Sequence, residues 1–271
     1  MTKYEHKEIK GYDDIWFLGL DATKIHGSGN TKNNNHCFDN EQYFYKQVTK
    51  DHIAYRYEVL DVLGKGIYGQ VLKCFDHQSN ELVALKLLRN KHRYHEQGKK
   101  EVRILEHLLH KDPEDDHHTV RMKEYFMFRN HICISFELLG SDLNAMVTGK
   151  GESVSYVRKC AYSILKCLQL LKRENIMHGD LKLANIVMSD KDPETLKVID
   201  FGGMLKNIRL DMWGKDILPG SKSLESLLGS SDPDLLDFIQ GCLQSGSQAC
   251  VDEGDFAGMH VHIPRKHSKN W

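Results

Sequence analysis

The sequence predicts an α+β fold built as two lobes, a β-rich lobe followed by a mainly helical lobe. Three β-type runs separated by turn residues occupy residues 56–90, and helical patterns dominate after residue 143. A chain of 271 residues is long enough for two small lobes that share a cleft. We therefore expect one catalytic unit rather than several independent domains.

The β-rich lobe is predicted from the segments RYEVLDVLGKG (56–66), YGQVLKCFDH (68–77) and ELVALKLLRN (81–90). Glycine-rich and Ser-Asn turns separate them, so three antiparallel strands are expected. A helix is predicted from Tyr94 to His110, because apolar residues recur there at helical spacing. Two more strands are expected over Arg121–Phe128 and Ile132–Leu138.

The second lobe is predicted to begin near Leu143, and its longest helix is expected over Val154–Arg173. Before the β-rich lobe, the apolar run Ile15–Leu20 precedes a polar linker, residues 24–36. We expect Tyr4–Ala22 to pack on the β-rich lobe, because its apolar residues are poorly suited to water. The alternative is a partner-binding patch on a free tail.

Composition narrows the classes of partner and compartment. The 37 Lys and Arg residues against 38 Asp and Glu residues leave a formal charge of -1, which argues against nucleic acid and anionic membranes as partners. The seven cysteines are scattered, as in a reducing compartment. No segment approaches the roughly 20 apolar residues that span a bilayer. These features predict a soluble intracellular protein, in the cytoplasm or the nucleus.

A glycine-rich segment between the first two predicted strands is a candidate phosphate cradle. Glycine lets a hairpin lie close over phosphates and present its backbone N–H groups. A plain hairpin turn remains the alternative for such a segment alone, and a Rossmann fold is disfavoured because β-type sequence continues after it. The candidate nucleotide-binding residues here are Leu63, Gly64, Lys65, Gly66, Ile67, Tyr68, Gly69, Gln70 and Val71.

Lys86 lies in an otherwise apolar strand, twenty residues after Gly66, where an unpaired ammonium would be costly. Glu101 on the following helix is the acidic residue best placed to pair with it, and Glu96 and Glu106 are its rivals. Such a Lys–Glu pair positions the α- and β-phosphates of a nucleotide. The alternative for Lys86 is a strand-edge lysine whose ammonium lies in water.

The segment MHGDLKLANIVM (177–188) has the pattern HxDxKxxN. Asp180 can orient or accept the proton of an attacking hydroxyl, Lys182 can neutralise a transferred phosphoryl group, and Asn185 can hold Mg²⁺. Asp200, twenty residues further on in KVIDFGG, is a second candidate metal ligand. An Asx-turn is the alternative for any one of these residues alone. Together the motifs predict the bilobal fold of a protein kinase, with a β-rich N-lobe and a mainly helical C-lobe.

Several segments resemble class II of the dual-specificity tyrosine-phosphorylation-regulated kinases. DHIAYRYEVLDVLGKG resembles the entry to that family's catalytic domain, FRNHICISFELLG its hinge, and HGDLK its HCDLK variant. YEHKEIKGYDDIWFLGLDA is similar to the class II N-terminal accessory region and NNNHCFDNEQYFYKQV to the family homology box. The resemblance implies an N-terminal region at 1–52, a kinase N-lobe and hinge at 53–139, a shortened C-lobe at 140–243 and an unassigned tail at 244–271.

The resemblance also implies ATP and Mg²⁺ as cofactors and protein substrates phosphorylated on Ser or Thr, with tyrosine autophosphorylation. Phe136 is then the gatekeeper beside the adenine site. The adenine ring would be sandwiched by Leu63, Val71 and Ala84 and hydrogen-bonded by the backbone of Glu137, Leu138 and Leu139.

The chain departs from the family after Gly202. No tyrosine follows Asp200 and no APE segment is present, and Leu183 and Ala184 stand where the family has Pro and Glu. The alternative function is therefore an ATP-binding but catalytically impaired pseudokinase or scaffold.

Overall fold

The computed structural model describes residues 1–28, 35–146, 154–190, 192, 195–203 and 205–206. Its helices are α1 (Glu5–Glu8), α2 (His92–Lys111), α3 (Leu143–Met146) and α4 (Val154–Arg173). The strands of the first lobe are β1 (His52–Ile53), β2 (Tyr57–Lys65), β3 (Gly69–Asp76), β4 (Glu81–Leu88), β5 (Met122–Phe128) and β6 (His131–Glu137). Those that follow are β7 (Leu139–Asp142), β8 (Ile176–Met177), β9 (Ile186–Ser189), β10 (Leu196–Val198) and β11 (Leu205–Lys206).

Six strands form one antiparallel sheet in the order β1-β2-β3-β4-β6-β5. The three strands predicted between residues 56 and 90 are confirmed, as are the two predicted before residue 139. β3 and β4 pair without interruption from Gly69 opposite Leu88 to Asp76 opposite Glu81. Alternate residues of β3, including Leu72 and Cys74, are buried, which is the period expected when one face of a sheet is covered.

Helix α2 packs against this sheet through a buried stripe. Val102, Leu105 and Leu108 are each at most 4 % exposed and belong to the cluster that also contains Ile134 of β6. The prediction of a helix over 94–110 is confirmed, with two residues added at the start and one at the end. The same cluster takes in Leu170 of α4, so α2 lies between the two lobes.

The described part of the second lobe is built on α4, whose predicted bounds are confirmed. α4 has 20 residues, but so does α2, so the expectation that α4 would be the longest helix is not met. Two small antiparallel sheets accompany it, one in the order β10-β9-β7 and the other formed by β11 and β8. The predicted features beyond residue 206, including the end of the shortened C-lobe and the tail, lie outside the described residues.

The N-terminal segment packs on the β-rich lobe, but not mainly through its apolar run. Ile15 and Trp16 remain 40 % and 47 % exposed. Of the run, Phe17 stacks on the imidazole of His77 at 4.2 Å between ring centroids, and the N–H groups of Trp16 and Phe17 both donate to the Tyr55 carbonyl. The expected packing is therefore observed, while the expected reason, burial of the whole apolar run, is wrong.

Buried charges hold the segment instead. Lys24 Nζ lies 2.9 Å from Glu5 Oε1 and 2.5 Å from Asp51 Oδ1, and each of these side chains is at most 7 % exposed. His52 Nε2 lies 3.1 Å from the same Glu5 oxygen. Burial opposes ionisation of Glu5, but the hydrogen bonds from His52, Lys24 and the Thr2 backbone outweigh it and lower the pKa of Glu5. The segment is thus joined to the start of the sheet by a compact ionic cluster.

A second buried ion pair strengthens this attachment. The Arg129 guanidinium, in the turn between β5 and β6, lies 2.8 Å from Glu8 Oε2, and its side chain is only 2 % exposed. Its carbon Cζ also lies 3.9 Å from the centroid of the Phe38 ring. Phe38 and Asp39 belong to the predicted family homology box, and Asp39 accepts a hydrogen bond from the buried His131 at 2.8 Å. Part of the predicted linker, residues 29–34, lies outside the described residues.

Cys37, Cys74, Cys133 and Cys167 are free thiols, in agreement with the prediction that the cysteines are not a disulfide framework. Within the described ranges, no helix is long and apolar enough to cross a membrane.

Replacement of Lys24 by Met should destabilise the chain, because Glu5 and Asp51 would then be buried without their shared cation. We expect the free energy of unfolding, measured by urea titration, to fall by about 3–5 kcal/mol. Lys10→Met, which removes an exposed lysine of the same segment, should change it by less than about 0.5 kcal/mol. Equal losses in the two variants would contradict an ionic attachment of the segment.

Candidate active site

The glycine hairpin joins β2 and β3 at the open edge of the cleft. Leu63 and Ile67 are 50 % and 73 % exposed, and the Gly66 N–H donates to the Gly69 carbonyl at 2.8 Å. Gly69 lies so close to β4 that a Cβ there would come within 2.3 Å of the Leu87 carbonyl oxygen. Only glycine fits at this position, so the hairpin can lie flat against the sheet.

Not every predicted residue of the hairpin turns its side chain to the cleft. Gln70 is buried, and its side-chain amide nitrogen Nε2 donates to the Tyr45 carbonyl at 2.8 Å. Lys65 places its ammonium 4.1 Å from the centroid of the Phe44 ring. These two residues can therefore serve a nucleotide through their backbone, while their side chains are engaged by residues 44–45.

Lys86, Glu101 and Asp200 meet at the centre of the cleft. Lys86 Nζ lies 2.6 Å from Glu101 Oε1 and 3.0 Å from Asp200 Oδ1. β4 carries the lysine, α2 carries the glutamate, and Asp200 follows β10, so three separate elements supply the cluster. The rival glutamates are elsewhere: Glu96 pairs with Lys99 on the surface, and Glu106 is exposed.

Burial and charge oppose each other in this cluster. Burial alone would lower the pKa of Lys86, but the carboxylates of Glu101 and Asp200 outweigh it and raise that pKa above its ordinary value. Burial raises the pKa of Glu101, and Lys86 offsets only part of that rise. Burial also opposes ionisation of Asp200, but the nearby ammonium lowers its pKa overall. Lys86 is therefore a cation and Asp200 an anion at neutral pH.

The backbone around Asp200 is shaped to aim its carboxylate at the lysine. Asp200 has φ 62°, in the left-handed region that Asp tolerates better than most residues. A Cβ on Gly202 would lie 3.1 Å from Glu101 Oε2 and 3.4 Å from Asp200 Oδ1. The glycine after Phe201 therefore leaves room for both carboxylates.

The HGDLK loop places Asp180, Lys182 and Asn185 together. Lys182 Nζ lies 2.7 Å from Asp180 Oδ2, and both side chains are about half exposed. The Asn185 amide Nδ2 donates to the Asp180 carbonyl at 2.8 Å and to Asp180 Oδ2 at 3.2 Å. The Ile199 N–H donates to the Asn185 carbonyl at 2.9 Å, which ties this loop to the chain just before Asp200.

His178 positions the loop, a role that the sequence prediction did not assign. Its Nε2 lies 3.0 Å from the Ile199 carbonyl, and its Nδ1 accepts the Asp180 N–H at 3.3 Å. This arrangement requires a neutral imidazole with its proton on Nε2. Burial accordingly lowers the pKa of His178, although the Ile199 carbonyl and the nearby acids oppose that shift. Its place in the HxD pattern was the signal that could have identified it.

The predicted hinge is held by a buried ion pair that the sequence also did not reveal. Lys197 of β10, 5 % exposed, lies 2.7 Å from Glu137 Oε1 and 2.5 Å from Asp115 Oδ2. The Glu137 N–H donates to the Arg121 carbonyl at 3.1 Å. Of the backbone groups of Glu137 that were expected to hydrogen-bond the adenine ring, only the carbonyl is therefore left. Phe136 is buried at 8 %, beside the partly buried Ala84 in the sheet.

Asn185 and Asp200 fit a hard divalent cation by the chemistry of their donor atoms. Mg²⁺ prefers carboxylate and amide oxygens, and it usually keeps further ligands from phosphates and water. Because Asn185 Nδ2 is engaged by Asp180, the amide oxygen Oδ1 is the atom left for a metal. In the described ranges, the one cluster of three potential ligands is Glu5, Asp51 and His52, and the Lys24 ammonium already lies within it.

Comparison with known proteins agrees with this geometry. Residues 57–210 match the model of the protein kinase domain. The chain is 51 % identical over 205 residues to the human dual specificity tyrosine-phosphorylation-regulated kinase 4, an alignment that covers 74 % of this chain and 39 % of the relative. It is 45 % identical to the Caenorhabditis briggsae dual specificity tyrosine-phosphorylation-regulated kinase mbk-2 and 44 % identical to the human dual specificity tyrosine-phosphorylation-regulated kinase 3. Both alignments cover 74 % of this chain. The chain spans 25 % and 35 % of the length of these two relatives.

The neutral state of His178 can be tested directly by NMR of the imidazole nitrogens. We expect a proton on Nε2 and a pKa below the ordinary value of 6.5, because burial disfavours the imidazolium. The folded loop then binds fewer protons than the unfolded chain, so it loses stability as the pH falls below 6.5. Titration of His178 above pH 6.5 would contradict its role as an acceptor for Asp180.

Proposed function

Because the chain belongs to the protein kinase family, we propose that it is an ATP-dependent protein kinase of the dual-specificity type. In this proposal it phosphorylates Ser and Thr of protein substrates and autophosphorylates on tyrosine. The observation that carries the proposal is the contact of Lys86 with both Glu101 and Asp200, at 2.6 Å and 3.0 Å. That contact places a cation for phosphates beside a carboxylate for a metal, in the cleft below a glycine hairpin.

ATP would enter between the glycine hairpin and the HGDLK loop. The apolar side chains of Leu63, Val71 and Ala84 are the proposed walls for the adenine ring, and the backbone of residues 137–139 is the proposed hydrogen-bonding edge. Lys86 would bind the α- and β-phosphates, while Glu101 holds its ammonium in place. The observed ion pair supports this division of roles, since Glu101 is 2 % exposed and cannot itself reach a solvent-borne substrate.

Asn185 and Asp200 are the proposed ligands for Mg²⁺. A bound Mg²⁺ neutralises phosphate charge and so lowers the barrier to phosphoryl transfer. The chain's own contribution is the placement of the two oxygen ligands. The hydrogen bond from the Ile199 N–H to the Asn185 carbonyl holds the backbone at Asn185 next to the backbone that leads into Asp200. The low pKa of Asp200 keeps its carboxylate ionised for this purpose.

Asp180 is the proposed acceptor for the proton of the substrate hydroxyl. As the new O–P bond forms, the bond from the γ-phosphorus to its bridging oxygen breaks and ADP leaves, with Lys182 stabilising the charge on the transferred group. The half-exposed pair of Asp180 and Lys182 supports this role, because both side chains are open to an incoming peptide. His178 and Asn185 would fix the direction of Asp180.

The proposed domain organisation follows the sequence boundaries: an N-terminal region at 1–52, an N-lobe and hinge at 53–139, a C-lobe at 140–243 and a tail at 244–271. The pseudokinase alternative rests on the missing activation tyrosine and APE segment. The part of the chain where these would stand lies outside the described ranges. A cytoplasmic or nuclear location remains a proposal, supported by the free thiols.

Saturating Mg-ATP should stabilise the chain thermally, because a ligand that binds only the folded state shifts the unfolding equilibrium. At a concentration of 100 times Kd the gain is about 2.7 kcal/mol. Lys86→Met should weaken this stabilisation and lower kcat/KM by about 100-fold or more, since it removes the cation that faces the phosphates. Lys99→Met, at an exposed lysine of α2, is the control and should change neither quantity. Full stabilisation of Lys86→Met by Mg-ATP would argue against the proposed phosphate site.

Asp180→Asn should leave Mg-ATP binding nearly intact and reduce phosphate transfer to a generic basic peptide by about 100-fold or more, because loss of the proton acceptor affects only the incoming hydroxyl. Asp190→Asn, a nearby exposed aspartate, should transfer phosphate at the wild-type rate. The assay follows radiolabelled phosphate from ATP to peptide. An unchanged rate in Asp180→Asn would remove Asp180 from the proposal, and binding of ATP without transfer by the wild-type chain would favour the pseudokinase alternative.

A further inference from the structure

Beside the glycine hairpin lies a group of cations for which the described residues supply no acidic partner. We call it the arginine patch, and it consists of Lys65, Arg89, Lys91 and Arg93. In the described parts of the chain, no carboxylate oxygen lies within 4.0 Å of a charged nitrogen of these four residues. By contrast, the buried cations Lys24, Lys86, Arg129 and Lys197 each have at least one carboxylate at this distance. Within the described residues, the patch therefore carries a concentrated positive charge that no carboxylate neutralises.

Two guanidinium groups of the patch converge on one neutral oxygen atom. Arg89 Nη1 donates to Tyr94 Oη at 2.8 Å, and Arg93 Nη2 donates to the same oxygen at 2.5 Å. Both groups also lie over the Tyr94 ring, with Cζ at 4.7 Å and 4.5 Å from its centroid. A hydroxyl accepts hydrogen bonds but offers no negative charge, so the repulsion between the two cations persists.

The patch is held in place before any ligand arrives. Arg89 Nε donates to the Gln42 carbonyl at 2.9 Å, and Nη1 donates to the Ile67 carbonyl at 3.0 Å. Arg89 also lies over the Phe44 ring, and the Lys91 ammonium lies 4.0 Å from the centroid of the Tyr43 ring. Contacts of this kind position a cation without consuming its charge. An incoming anion would thus meet an organised site and lose little entropy in ordering it.

We infer that the arginine patch binds the phosphate group of a phosphorylated segment in a partner protein. A phosphate carries nearly two negative charges at pH 7 and offers three oxygens, so it can accept hydrogen bonds from the Arg93 guanidinium fork and from Nη2 of Arg89 at once, which a single carboxylate does less well. Arg93 is exposed and Arg89 is partly exposed, so solvent reaches both side chains. The exposed rings of Tyr43 and Tyr68, at 41 % and 39 %, flank the cations and can contact the residues next to the phosphate.

The position of the patch links such a ligand to the candidate active site. Arg89 directly follows β4, three residues after Lys86, and Arg93 lies in the first turn of α2, eight residues before Glu101. A phosphate held by both arginines would tie the strand that carries Lys86 to the helix that carries Glu101. This inference stands on the charges of the patch and does not require that the chain transfer phosphate.

Binding can be measured by fluorescence anisotropy of a labelled alanine-rich peptide that contains one phosphotyrosine. The wild-type chain should bind this peptide, and Arg89→Gln with Arg93→Gln should weaken binding at least ten-fold. Arg89→Lys with Arg93→Lys should also weaken it clearly, because lysine keeps the charge but lacks the planar fork. Lys100→Gln with Arg103→Gln removes two exposed cations from the same helix and should change the affinity less than two-fold.

Three comparisons would overturn the inference. The first is equal binding of a peptide with glutamate in place of phosphotyrosine, which would indicate general attraction to acids. The second is a loss of affinity in the Lys100 and Arg103 control as large as that in the arginine variant. The third is binding to phosphatidylserine vesicles, lost in the arginine variant, without binding to the phosphopeptide. Thermal unfolding of each variant verifies that the fold is retained. Tyr94→Phe supplies a second test, because it removes the hydroxyl that both guanidinium groups share. This variant should bind the phosphopeptide more weakly.

Discussion

The ammonium of Lys86 is the cation on which the arrangement of the cleft depends. An isolated charge at this depth would cost several kcal/mol in lost hydration. Glu101 and Asp200 offset that cost, and they come from a helix and from a loop that follows a strand of the second lobe. Because Lys86 and Glu101 would be left buried and unpaired without each other, and Asp200 completes the contact, it constrains β4, α2 and the chain around Asp200 at once. The relative position of these three elements is therefore an electrostatic requirement as well as a packing one.

The same physical rule operates on the other side of the sheet, where Lys24 and Arg129 join the N-terminal segment to the β-rich lobe. In both places a buried cation is shared by carboxylates that lie far apart in the sequence. Such contacts contribute modest net stability but strongly disfavour arrangements that leave one charge alone. The segment is consequently held in one orientation, even though Trp16 and Ile15 remain largely open to water. The arginine patch is the exception, since its charges have no such partner within the described residues.

Local patterning predicted most of the secondary structure. The β-type runs of β3 and β4, bounded by turn residues, predicted these strands, and the helical spacing of Val102, Leu105 and Leu108 predicted the buried side of α2. The packing of the N-terminal segment was predicted for the wrong reason, because the apolar run Ile15–Leu20 resembles a core segment whether or not a partner surface exists to cover it. The buried Lys197 and the positioning role of His178 escaped prediction as well. Lys197 depends on Glu137 and Asp115, which lie far from it in the sequence, and no local pattern marks such partners. His178 could have been identified from its place in the HxD pattern, but its contact with the Ile199 carbonyl forms only when the chain has folded.

From the sequence alone came the order of the motifs, the strands and helices that carry them, and the choice of Lys86, Glu101, Asp180, Asn185 and Asp200 as candidate site residues. These follow from residue type and short-range spacing, which are properties of the chain itself. Only the tertiary structure decided that Lys86 contacts both Glu101 and Asp200, that Gln70 turns away from the cleft, and that Arg89 and Arg93 share the Tyr94 hydroxyl. The reason is physical: charge pairing and desolvation depend on distances between elements, and those distances exist only after the sheet, α2 and the second lobe have packed together.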